Sequence, residues 1–79
     1  MILRCGNNPL GSLDLSNNTA LTYLSCTNCQ LTSLDVSNNP DLTQLWCYWN
    51  KLRILDVSKN TYLTVLYCSI NSTPFSLFP

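Results

Sequence analysis

The sequence contains no histidine. That removes the commonest general base and a common nitrogen ligand for zinc. Charge is scarce as well: charged residues make up 10% and the formal net charge is zero. There is no basic face to release counterions from nucleic acid, and no acidic tail. No apolar run is long enough to span a bilayer as a helix. The opening "MILRCGNNPL" lacks the apolar core of a secretory signal. With only 2 glycines, no glycine-rich phosphate loop can be drawn. These absences leave little room for an enzyme, and neither a cofactor nor a nucleic-acid partner is expected.

What is present is a repeat. The period is 21 residues, and self-similarity of this kind outranks every local reading. Leu3, Leu24, Leu45 and Leu66 share one column, and Cys5, Cys26, Cys47 and Cys68 share the column two places on. Asn8, Cys29, Asn50 and Asn71 follow. Later columns hold Asp14, Asp35 and Asp56, then Asn18, Asn39 and Asn60. The unit is LTxLxCxxNxLxxLDVSxNxx. It divides the single domain 1–79 into a partial copy 1–20, copies 21–41 and 42–62, and a degenerate copy 63–79. Met1 falls inside the pattern, so the chain reads as a piece of a longer array.

Each unit has two similar halves, "LTYLSCTNCQ" and "LTSLDVSNNP". Strand side chains alternate between faces, so Leu24 and Cys26 point inward while Tyr23 and Ser25 point outward. An asparagine with polar neighbours follows each half, which is turn chemistry. One unit is then one coil with two short strands and two bends. Coils stack at about 4.8 Å, the strand spacing of a sheet. A coil cannot bury its apolar face alone, and its neighbours do that. The inward asparagines have donors and acceptors for the bend peptides, so two asparagine ladders are expected. The fold class is a mainly β solenoid of parallel strands in one or two sheets, with little or no helix.

The unit resembles the bacterial leucine-rich repeat, in particular the 21-residue nested kind called IRREKO, and is internalin-like in a broad sense. The residues that carry the likeness are the "LxxLxC" strand, the "NxL" after it and the "LDVSxN" second half. The resemblance implies a solenoid that displays a strand face to protein or other macromolecular ligands. It also implies a secreted or cell-surface bacterial parent. No N-terminal cap is visible, and "NSTPFSLFP" puts Thr73 and Ser76 where leucines belong. That half-unit is either slipped in register, with Phe75 in a core leucine's place, or frayed. The uncapped ends make self-association an expected partner mode, since open strand edges pair with other chains.

Cys26 and Cys29 form a CxxC, which raises zinc and redox readings. A structural zinc site needs four ligands around one point, and the remaining cysteines lie one per coil. A disulfide between coils would need side chains that converge, whereas in-register side chains run parallel. Packing is the favoured reading, with Cys29 in an asparagine slot. Asp14, Asp35 and Asp56 form an outward column of like charge. Local hydrogen bonds to backbone or hydroxyls are the favoured compensation, and a bridging cation such as calcium is the rival. Thr22, Thr43 and Thr64 form a single column, too narrow for an ice-binding array.

The columns that vary are the candidates for recognition. Outward sites on the first strands hold Arg4, Tyr23, Ser25, Gln44, Trp46, Val65 and Tyr67, and the next turn adds Thr27, Asn28, Tyr48, Trp49, Ser69 and Ile70. Aromatics therefore gather on two adjacent coils. Exposed aromatic clusters mark interaction sites, although aromatics can also cover a thin core or an adjoining repeat. The ligand-binding set is Tyr23, Gln44, Trp46, Tyr48, Trp49 and Tyr67, facing a protein or carbohydrate. The competing reading is a spacer or self-assembling segment of a larger surface protein.

Overall fold

The same residue type recurring in each inward column of the first half-unit, leucine and then cysteine two places on, lets each coil lie on the next without a clash, and the backbone follows that register. The structure, a computed structural model, describes residues 1–72 and 74–79. Six strands of 3 residues each form: β1 (Ile2–Arg4), β2 (Tyr23–Ser25), β3 (Gln44–Trp46), β4 (Ile54–Asp56), β5 (Val65–Tyr67) and β6 (Ser76–Phe78). The described residues include no helix, hence none long and apolar enough to cross a membrane. One parallel sheet has the order β1-β2-β3-β5, and a second pairs β4 with β6. Leu3, Leu24, Leu45 and Leu66 stand opposite one another along the first sheet. The molecule is a parallel β-solenoid of about four turns.

Burial alternates as a strand requires. Leu24, Cys26, Leu45 and Cys47 have no exposed surface, while Ser25 and Trp46 between them are partly exposed. Leu15, Leu31, Val36 and Leu55 close the core from the other flank. The threonine column is structural: the hydroxyls of Thr43 and Thr64 donate to the carbonyls of Thr22 and Thr43, one coil back.

The bends are held as the asparagine columns predict, but not equally. Asn50 Nδ2 donates to the carbonyls of Cys26 and Cys47, each at 3.0 Å. Its Oδ1 accepts the amides of Cys29 at 2.9 Å and Leu31 at 3.0 Å. Asn71 repeats the pattern toward Cys47, Cys68 and Leu52. At the other corner the asparagines only donate. Asn39 reaches Leu15 and Asn18, and Asn60 reaches Val36 and Asn39. The Oδ1 atoms of Asn39 and Asn60 are buried without a partner among the described residues. The expectation of a two-way ladder therefore fails at this corner, because the amides there already close tight turns on backbone carbonyls, Asn39 N on Val36 O for example.

A second strand in every coil was also expected, and residues 12–15 and 33–36 form none. Their sides still alternate, with Leu34 and Val36 buried and Ser33 and Asp35 exposed. This flank is held by the corner asparagines and by packing rather than by a ladder. Only the last coil pairs there, and it does so one residue late. Leu77, not Ser76, stands opposite Leu55. The slipped register is the outcome, and Phe75 packs against the core. The expectation placed on Thr73 lies outside the described residues.

Candidate functional site: an aromatic cleft on two coils

The pairing of β3 with β5 sets Trp46 opposite Tyr67. Both point outward from the same column, so their rings meet. The centroids are 4.4 Å apart and the planes differ by 24°, a stacked arrangement that adds to the area the rings bury. Trp46 is fixed further by its indole N–H, which donates to Gln44 Oε1 at 3.2 Å. Trp46 is half-buried rather than fully exposed, because Tyr67 covers one of its faces.

The turn after each strand supplies the rest of the site. Asn7, Asn28, Trp49 and Ile70 form one column, and all four have left-handed backbones, with φ of 61°, 55°, 58° and 55°. Asparagine adopts this region at small cost, whereas a bulky or β-branched residue is strained there. In the first two coils the column is polar, and Asn28 Nδ2 donates to Asn7 Oδ1 at 3.2 Å. In the next two coils the same bend turns Trp49 and Ile70 out to solvent, 52% and 65% exposed. Strained residues that persist tend to gather at binding and catalytic sites.

The rings of Tyr48 and Trp49 meet edge to face, 6.0 Å apart and inclined by 64°. Trp46, Tyr48, Trp49, Tyr67, Ser69 and Ile70 together line a shallow, open cleft of about 390 Å³. None of them is charged. Of the six residues expected to bind, the structure brings four to this cleft, with Gln44 behind Trp46. Tyr23 does not join them. Its ring lies under the Arg4 guanidinium, 5.1 Å from centroid to Cζ, a cation–π contact. Ser69 and Ile70 were placed outward by the sequence but left out of the site. The signal was available, since they lie one coil on from Tyr48 and Trp49.

The carboxylate column does different work. Asp14, Asp35 and Asp56 each accept the amide of the serine two residues on, at 2.9 Å. Hydrogen bonds from the serine hydroxyl and then its amide hold all three carboxyls below their ordinary range. The rival reading, a cation site at these aspartates, finds no support in the geometry: no group of three metal-ligating side chains comes together among the described residues. The cysteines are all free. Burial pushes the Cys26 thiol up and the Cys47 thiol up to about 12, so neither is an activated nucleophile. Cys29 Sγ donates to Cys5 O at 3.2 Å, the place where an asparagine amide would reach.

Comparison with known proteins gives no match: no family model, no curated protein and no solved structure matches this chain.

Proposed function

We propose that the chain is a non-enzymatic binding module of leucine-rich-repeat type, in which the aromatic cleft on the β3 and β5 coils receives a protein or glycan ligand. One observation carries the reading. The scaffold does not need these aromatics, since Arg4 and Ser25 fill the Trp46 column elsewhere and asparagines fill the Trp49 column. Yet they converge on one cleft, and two of its lining residues hold a strained backbone. Rigid aromatics give contact area at low conformational cost. A secreted or cell-surface setting belongs to the same proposal, by the resemblance of the repeat. Self-association through the outer strands does too, and sedimentation over a range of concentrations tests it.

The experiment for the main reading is Trp46→Ser. Serine already occupies this column at Ser25, so circular dichroism and melting should stay close to those of the parent. Ligand affinity should fall by about 2 kcal/mol or more, as for a hot-spot residue. A variant that unfolds would assign the ring to the core and remove the reading's main support.

A further inference from the structure

We infer that the ligand of the aromatic cleft is a neutral saccharide, laid flat on the ring faces with its hydroxyl rim turned to the polar edge of the site. This rests on the binding-module reading above and names the ligand class for it. Three observations lead there.

The first is charge. The cleft lining contains no carboxylate, ammonium or guanidinium group. A charged ligand buried against it would lose water without gaining a partner, which is costly. The second is shape. A cage for a quaternary ammonium needs several ring faces turned on one point. Here Trp46 and Tyr67 give one face each to the other, and the cleft is open rather than enclosing. Its volume of about 390 Å³ lies at the small end of ligand sites. A protein partner of ordinary size would cover about 800 Å², near a sixth of the whole 4806 Å² surface. The apolar lining is confined to two coils.

The third is the mixture of chemistry. Aromatic faces carry partial negative charge, and a pyranose ring offers slightly positive C–H groups on its faces. Its rim of hydroxyls then needs donors and acceptors. The phenols of Tyr48 and Tyr67, the Trp49 indole N–H and the Ser69 hydroxyl have no hydrogen-bond partner among the described residues, whereas the Trp46 N–H is held by Gln44. Open ring surface, here on Trp49 and Tyr67, which are 52% and 50% exposed, with free polar groups at its margin is what a sugar requires, and an apolar ligand would leave the polar groups unused.

The test uses the intact chain. A glycan array with neutral and charged members is read first, and hits are titrated by tryptophan fluorescence. Tetramethylammonium and an unrelated polypeptide panel run alongside. Saturable binding of a neutral oligosaccharide is expected, weakened about tenfold or more, roughly 1.4 kcal/mol, by Trp49→Asn. That variant restores the residue type found at Asn7 and Asn28, so its melting should not fall, which keeps loss of binding separate from loss of fold. An array in which no neutral glycan binds, or in which only charged glycans or tetramethylammonium bind, overturns the inference. If a polypeptide binds and Trp46→Ser abolishes it, the saccharide falls and the binding module stands. If Trp46→Ser alters no binding that the chain shows, both fall.

Discussion

Asn50 accepts the amide of Cys29 through its side-chain oxygen, and Cys29 itself occupies the slot that Asn50 fills one coil later. The thiol reproduces only the donor half of the asparagine's work, reaching the carbonyls of Cys5 and Thr27. It offers the coil before it no comparable acceptor. There the Leu10 amide turns back to Asn8 O instead, and the nearby Gly11 and Gln30 take left-handed backbones, φ 74° and 58°.

Asn50→Ala should therefore cost about 1–3 kcal/mol, the penalty for stranding buried polar groups. Asn39→Ala should cost less, because Asn39 makes only two bonds, both as donor. Cys29→Asn should be tolerated and should gain up to about 1 kcal/mol if the Leu10 amide is recaptured. Denaturant unfolding of the three variants gives the order. An Asn39→Ala loss larger than that of Asn50→Ala would refute it.

Trp49→Asn should stabilise the fold by about 1 kcal/mol, since a left-handed backbone costs a bulky residue about that much more. Ile70→Asn should do the same, with a larger share of relief because the residue is β-branched. Both are read from melting curves. A fall in melting temperature on Trp49→Asn would mean that the ring contributes packing beyond its contact with Tyr48.

The aspartate column makes stability depend on acid. The folded carboxyls of Asp14, Asp35 and Asp56 titrate below their ordinary value. Their contribution is thus present above about pH 3.9, the unfolded value, and is lost as pH falls through the folded value. The groups are solvent-exposed, so the effect is small. Ser37→Ala should flatten the Asp35 part of that acid slope in urea unfolding measured across pH. Calcium should leave the melting temperature unchanged, and a calcium-dependent rise would revive the cation reading.

The thiols should react in order of their place in the stack. Cys5 and Cys68 are partly exposed and should modify first. Cys26 and Cys47, buried and with their thiols pushed up, should resist a thiol reagent at neutral pH until the chain opens. Mass spectrometry of partly modified protein tests the order.

Much of this fold could be read because it is said more than once. A column such as Leu3, Leu24, Leu45 and Leu66 fixes the coil length, the inward face and the sheet register together. What occurs once was legible only as alternatives, as with the slipped or frayed reading of the final half-unit. The late pairing of Leu77 with Leu55 belongs to a single degenerate copy, with no second copy to show the shift. The missing strands at residues 12–15 and 33–36 were hidden for another reason. Alternating sides look the same in sequence whether or not the backbone pairs laterally. The site was half legible. The in-register pairing behind Trp46 and Tyr67 follows from the period, but the left-handed turn that aims Trp49 and Ile70 follows from φ, which a tryptophan does not announce. Asn7 and Asn28 in the same column were the available hint.

The coils up to β3 are latched to one another on one flank only, whereas the last two also pair through β4 and β6. Along β1, β2, β3 and β5 the backbone bonds set the rise per coil. Across residues 12–15 and 33–36 no strand ladder exists, and the rise there is set by the corner asparagine bonds and by how bulky the facing side chains are. A stack built this way behaves like a bimetallic strip. Enlarging Val36 should splay the loose flank and bend the solenoid toward its sheet, whereas trimming it should bend it the other way. The curvature of the strand face, and with it the opening of the aromatic cleft, is then adjustable from side chains that never touch a ligand.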